Sequence, residues 1–306
     1  MPRPSERVDA PEAGVNGQMT AVNPAPARLR SLLFAPASKP EVLRKMPRSE
    51  PDGVALDLED AVPATGKAAA REHSRAVGAE LARAHPNLAV YVRVNPVVTE
   101  WFAADIADGV APEIAGVIVP KLETPEQLDA VSAALDTADL GHLHVLAGLE
   151  SARGVERAGE LLRPPVAVAY FGAEDFIADM GGVRTQESTE VVYARSRVAL
   201  AARLAGVLAI DQVVTLLDAE ELFLADAALG RAIGYRGKLC IHPAQVTLAN
   251  RAFSSSPEEL DRARRVLAAY DEATARGEAA IAFEGQMIDE PLARHARAVI
   301  AGADPL

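Results

Sequence analysis

The stretch Gly116–Glu150, GVIVPKLETPEQLDAVSAALDTADLGHLHVLAGLE, decides the fold class. It opens on an apolar, β-branched run, Gly116–Lys121, and closes on another, His142–Glu150. Between them, Thr124-Pro125-Glu126-Gln127 marks a helix start: a capping threonine, a proline at the first helical position and a glutamine placed to reach back to the cap. Strand, helix, strand is the unit that pairs two strands in parallel through a right-handed crossover.

The alternation extends in both directions. Further strand candidates are Arg30–Ala35, Gly53–Glu59, Ala89–Asn95, Val166–Gly172, Asp211–Leu217 and Lys238–His242, which makes eight in all. Asp218 with Glu221 repeats the capping logic after the seventh strand. Ser256-Pro257-Glu258-Glu259 repeats it before a helix with apolar positions at Leu260, Ala263, Leu267 and Tyr270, closed by Gly277. Eight strands alternating with helices allow a closed barrel or a doubly wound open sheet. No G-x-G-x-x-G follows the first strand and no G-x-x-x-x-G-K-[ST] occurs, so nucleotide-binding open sheets lose their main support. The expected fold is α/β, a (β/α)8 TIM barrel over residues 28–250. Residues 251–306 are expected to form a C-terminal helical extension, with helices near Pro257–Arg276 and Gly285–Ala301, at a subunit interface.

Composition agrees with this reading. The 306 residues are 49% hydrophobic but only 4% aromatic, so Ala, Val, Leu and Ile must build the core. That suits parallel strands covered by helices on both faces. The net charge of −12 argues against nucleic acid and anionic membrane surfaces as partners. No apolar run approaches the roughly 18 residues of a membrane span. The lone Cys240, between Leu239 and Ile241, permits no intrachain disulfide and reads as a buried small hydrophobe. The first 27 residues hold five prolines and the acids Glu6, Asp9 and Glu12. They read as a disordered tail rather than a signal or transit peptide, with Met19 as a second candidate start. A cytoplasmic location is the expectation.

In barrels of parallel strands the site forms at the C-terminal ends of the strands. Those ends read Asp57-Leu58-Glu59-Asp60, Arg93-Val94-Asn95-Pro96, Pro120-Lys121-Leu122-Glu123, Gly148-Leu149-Glu150-Ser151, Phe171-Gly172-Ala173-Glu174-Asp175 and His242-Pro243. Any one such acid is as readily a cap for the next helix. Arg93 alone could be an ion-pair partner, and His242 a structural histidine. The signal is convergence: a ring of carboxylates without compensating lysines is costly unless a cation sits in it. No His/Cys spacing suggests zinc. Hard oxygen donors point to Mg2+, with Mn2+ the other ion they suit.

Ordered segments along residues 30–300 carry a resemblance. They are Arg30-Ser31-Leu32-Leu33-Phe34-Ala35-Pro36, Leu56-Asp57-Leu58-Glu59-Asp60-Ala61-Val62, Arg93-Val94-Asn95, Pro120-Lys121, Gly172-Ala173-Glu174-Asp175-Phe176, Gly237-Lys238-Leu239-Cys240-Ile241-His242-Pro243 and Met287-Ile288-Asp289. Together they resemble the citrate lyase β-subunit-like family of HpcH/HpaI aldolases, related to malyl-CoA and citramalyl-CoA lyases. The resemblance implies a Mg2+-dependent lyase that cleaves or forms a 3-hydroxyacyl-CoA through an acyl-CoA enolate and a 2-oxo acid carried by the metal. It implies Glu150 and Asp175 as metal ligands, Arg93 polarising the reacting oxygen, and Asp57 and Glu59 orienting Arg93 and water. The backbone N–H groups of Gly172, Ala173, Glu174 and Asp175 would hold the substrate carboxylate. Phe34, Lys39 and Lys67 would contact CoA, and Asp289 would act as acid or base from a neighbouring subunit of a homotrimer. Two alternatives stay open: a malyl-CoA-type thioesterase, and a citrate lyase subunit acting on a carrier-protein thioester. The sequence departs from the family at Ala37, where glycine is usual and where a Cβ is expected to narrow the CoA approach.

Overall fold

The computed structural model describes residues 22–302. Its eight barrel strands are β1 Ser31–Pro36, β2 Gly53–Asp57, β3 Ala89–Arg93, β4 Gly116–Val119, β5 His144–Leu149, β6 Val166–Phe171, β7 Leu208–Asp211 and β8 Gly237–Cys240. Each pairs in parallel with the next, and β8 closes on β1. The helices of eight residues or more are α1 Lys67–Ala84, α2 Pro125–Thr137, α3 Ala173–Met180, α4 Val192–Ala205, α5 Glu220–Ile233, α6 Pro243–Ala252, α7 Pro257–Ala275 and α8 Glu290–Ala301. The fold is a (β/α)8 barrel with C-terminal helices, as the alternation predicts.

Strand periodicity sorts the core into two parts. Leu32, Ala55, Tyr91, Ile118, Leu146, Val168, Ile210 and Leu239, one from each strand, meet inside the barrel. Their neighbours, such as Leu33, Val54, Val90 and Val117, pack outward under the helices. Two residues further along, the inward row reaches the mouth as Phe34, Asp57, Arg93 and Tyr170, so the pattern that fills the interior also aims the site residues. The barrel is thus a packed core below and a polar mouth above.

Local chemistry sets the helix starts. Thr124 and Ser256 both form complete capping boxes, with Gln127 and Glu259 reaching back to the cap N–H. Asp218, expected as a cap, is not one: α5 starts after Ala219 without a side-chain cap. The same region holds the largest boundary error. The seventh strand runs over Leu208–Asp211 rather than Asp211–Leu217, and Leu216 and Leu217 are exposed. The apolar run Val213–Leu217 misplaces it, whereas register is fixed by pairing Ile210 between Tyr170 and Gly237. The C-terminal extension holds a hairpin as well as helices. Strands β9 Ile281–Phe283 and β10 Gln286–Ile288 join through Glu284 and Gly285, both at positive φ, so Gly285 turns a hairpin instead of opening a helix. The extension has its own small core, including Val266, Tyr270, Ile288 and Ala293.

Residues 22–27, placed in the tail by composition, follow the base of the barrel. The Asn23 N–H donates to the His142 carbonyl at 2.7 Å, and Ala25 packs on the inner cluster. Residues 1–21, Met19 included, lie outside the described residues. Among the described residues no helix is long and apolar enough to cross a membrane. Cys240 is fully buried, and burial pushes its thiol up to about 12.

The barrel wall contains a charge network that the sequence does not announce. Arg195 on α4 donates to Asp211 at 2.8 Å and to Asp226 on α5 at 2.9 Å, and Lys238 on β8 donates to both acids. Arg195, Asp211 and Lys238 are fully buried. Two bases against two acids make a neutral set, with Gln212 and the Tyr235 hydroxyl completing it. Removing one member strands a buried charge. Arg195→Met should therefore cost about 3–5 kcal/mol in urea unfolding, whereas a loss below about 1 kcal/mol would show that the network contributes little to the stability of the wall.

Candidate active site

The mouth of the barrel is organised around Arg93. It ends β3 directly opposite Asp57, which ends β2. The Arg93 Nε and Nη2 groups each donate to Asp57 at 2.7 Å, a two-pronged pair that fixes the guanidinium plane. Asp57 is held in turn by the backbone N–H groups of Glu59 and Ala61. The Phe34 ring lies 5.2 Å from the Arg93 Cζ. Burial opposes the charge on Arg93, but the hydrogen bonds and carboxylates of Asp57 and Glu59 outweigh it and hold the guanidinium protonated.

Glu59 stands on the other side. Its Oε2 lies 2.9 Å from Arg93 Nη1, yet this buried oxygen accepts no hydrogen bond, because the N–H groups of Arg93 are aligned elsewhere. Burial raises the Glu59 carboxyl in spite of the cations beside it. Its Oε1 accepts from the Lys121 ammonium at 2.9 Å.

Glu150 follows β5 and is almost completely buried. Its Oε1 accepts from the Lys121 backbone N–H at 2.8 Å and its Oε2 from the Tyr170 hydroxyl at 2.9 Å. Two glycines make this packing feasible. A Cβ at Gly172 would lie 2.4 Å from Glu150 Oε2, and one at Gly148 would lie 2.5 Å from the Tyr170 hydroxyl. Burial, then the charges of Glu59 and Asp175, push the Glu150 carboxyl up to about 7. Asp175, on the first turn of α3, is partly exposed and sits 3.3 Å from the Lys121 ammonium.

The carboxylates therefore do have a lysine among them, contrary to the sequence expectation. Lys121 adopts a left-handed backbone, φ 51°, a conformation that costs a non-glycine residue of order 1–3 kcal/mol. Burial disfavours its charge, but Glu59, Asp175 and Asp60 outweigh that and keep it protonated. Leaving the exposed Asp60 aside, the four carboxyl groups of Asp57, Glu59, Glu150 and Asp175 outnumber the two cations that touch them, Arg93 and Lys121, and the raised Glu59 and Glu150 carboxyls reflect that crowding. With all four ionised, two negative charges are left over. That surplus matches one divalent cation. Among the described residues no three His, Cys, Asp or Glu side chains form a ready-made metal cage. Glu150 and Asp175 are a pair of oxygen donors that could hold a hard ion, with its other oxygens supplied by substrate and water. The residues fit Mg2+.

Other expected contacts fall differently. Lys67 is buried and spends its ammonium on the Leu58 and Glu59 carbonyls and on Asn95, at 2.8, 3.2 and 2.7 Å, so it has no donor left for CoA. Lys39 is exposed on the loop after β1. The Ala37 methyl is buried in the outer core rather than lining an approach, so it does not narrow one. The Gly172 N–H is taken by the Leu149 carbonyl, which leaves those of Ala173, Glu174 and Asp175 at the uncapped start of α3. His242 is exposed and caps α6. Asp289 caps α8, accepting from the Leu292 N–H at 3.4 Å, its one side-chain partner among the described residues. In the extension, expected at a subunit interface, Phe283 and Ile288 pack against its own small core, while Met287 is exposed. The sequence reading missed Tyr170 and gave Lys121 no role. The inward parity of β6 and the Pro120-Lys121 pair ending β4 were the available signals.

Comparison with known proteins places this geometry. Residues 30–243 match the HpcH/HpaI aldolase/citrate lyase family. The chain is 50% identical over 283 residues to a citrate lyase subunit beta-like protein of Deinococcus radiodurans, covering 92% of this chain and 99% of the relative. It is 31% identical to a (3S)-malyl-CoA thioesterase of Cereibacter sphaeroides over 90% of this chain and 95% of that protein. The crystal structure of CitE from Mycobacterium tuberculosis in complex with magnesium, acetoacetate and coenzyme A superposes with a TM-score of 0.77 at 33% identity, covering 91% of this chain and 99% of that one. Arg93, Glu150 and Asp175 all lie within the matched residues, and the chain belongs to the HpcH/HpaI aldolase/citrate lyase family.

Proposed function

We propose that this chain is a Mg2+-dependent carbon–carbon lyase that cleaves or forms a 3-hydroxyacyl-CoA of the malyl-, citramalyl-, 3-hydroxy-3-methylglutaryl- or citryl-CoA type. The observation that carries the reading is the fixed guanidinium of Arg93 beside a cluster of carboxyl groups that outnumber their cations. The magnesium and coenzyme A in the CitE complex support it. Glu150 and Asp175 would hold the Mg2+, which would supply Lewis-acid polarisation of a carbonyl and its neighbouring carboxylate.

The chain's own residues do the rest. In cleavage, the C–C bond breaks as the substrate hydroxyl loses its proton and becomes a carbonyl. Arg93 stabilises the charge that grows on that oxygen, and because Asp57 already fixes its plane, little reorganisation is needed. Glu59 Oε2, buried and without a donor, is the acceptor for the hydroxyl proton. The free N–H groups of Ala173, Glu174 and Asp175 receive the carboxylate of the 2-oxo acid product. Phe34 beside Arg93 closes the mouth toward CoA, and Lys39 meets its phosphates. Asp289 protonates the acyl-CoA enolate of a neighbouring subunit in a symmetric trimer.

The thioesterase relative favours one second reading, in which Asp289 activates water or attacks the thioester and CoA leaves without C–C cleavage. Products separate the two. The Mg2+-loaded protein, assayed against the four thioesters, should release a 2-oxo acid and an acyl-CoA from at least one. Free CoA with an intact hydroxy acid would establish hydrolysis instead.

The assignment of Asp289 in trans has its own test. Arg93→Ala and Asp289→Ala chains should each be nearly inactive. Oligomers assembled from both should regain part of the activity, since some sites then receive both intact residues. Mixed oligomers without recovery would remove Asp289 from the neighbour's site.

A further inference from the structure

Lys121 touches every carboxylate that matters for the metal, through two separate groups. Its backbone N–H holds Glu150 Oε1 at 2.8 Å. Its ammonium holds Glu59 Oε1 at 2.9 Å and lies 3.3 Å from Asp175 Oδ1. The left-handed backbone links the two contacts. After β4 the chain turns so that the N–H of residue 121 faces β5, while the side chain swings back across the mouth toward β2 and α3. The ammonium is a single positive charge resting on a cluster that has room for two more.

Resting on the reading of Glu150 and Asp175 as metal ligands, we infer that Lys121 is a positioning residue that holds the place of the divalent ion. From 3.3 Å its ammonium draws Asp175 toward the mouth, and together with the contact to Glu59 it offsets the mutual repulsion of the acids. An ion held by Glu150 and Asp175 would replace the ammonium at Asp175, and Lys121 would keep its contact with Glu59. The ion pair between Lys121 and Asp175 is therefore a competitor that metal binding must break. It sets a ceiling on metal affinity, and the backbone contact of the same residue keeps Glu150 ordered in both states.

The inference makes a statement about binding rather than turnover. Calorimetric titration of Mg2+ into the full chain should give tighter binding, by about tenfold, for Lys121→Met than for wild type, since a unit charge a few ångströms away is lost. Lys121→Gly should show the same gain while also relaxing the left-handed backbone, which keeps the test intact should the Met variant fold poorly. Lys121→Arg, which retains the charge, should bind no more tightly than wild type. A merely structural role would make Met and Arg alike, both weaker. If wild type binds Mg2+ and neither the Met nor the Gly variant gains affinity, the place-holding role is wrong and the metal site stands. If wild type binds no Mg2+, the functional reading fails and takes this inference with it.

Discussion

The site depends on the registered pair of Asp57 and Arg93 across β2 and β3. Parallel pairing puts the two residues side by side, and inward parity points both into the mouth. A guanidinium on an exposed loop would lose much rotamer freedom on becoming fixed. Here the strand ends supply the fixation, and two donors on two acceptors at 2.7 Å set the plane. Moving either strand by one residue would turn the pair outward into the helices. The interior layer of Leu32, Tyr91, Leu146 and Val168 is thus what makes the charged layer above it possible.

The electrostatics of the mouth follow from placing more carboxylates than cations in a partly buried space. Glu59 and Glu150 are both raised, with burial the main cause, although Arg93 stands beside each. Such a cluster favours protons at low pH and a divalent ion otherwise. The second charged network, around Arg195, is different in kind. It is fully buried and neutral, and it ties α4, α5, β7 and β8 together without reaching the mouth. One set of charges is balanced for stability and the other is left unbalanced for binding, within the same barrel.

Legibility from sequence tracked how local the deciding interaction is. The alternation of strands and helices, and the capping boxes at Thr124 and Ser256, are local and were readable. So was the set of acids and Arg93 at strand ends, because barrel geometry converts a sequence position into a spatial one. The seventh strand was misplaced because its apolar run looks like a strand while pairing partners far away in sequence decide its register. Lys67 was misread for a related reason. Nothing near it in sequence shows that Asn95 and the Leu58 carbonyl wait to take its donors. Lys121 was visible as a residue but not as a contact, since its reach to Glu59 and Asp175 depends on a backbone φ that sequence does not display.

On the proposed reading, the surplus of carboxyl groups at the mouth holds one divalent ion on Glu150 and Asp175. A crystal structure of the chain grown with Mg2+ and a 2-oxo acid tests it most directly. The expected result is one ion with a carboxylate oxygen of each residue about 2.0–2.1 Å away, the 2-oxo acid and water completing an octahedron. An ion bound elsewhere, or a mouth in which the 2-oxo acid binds without any ion between Glu150 and Asp175, would contradict it.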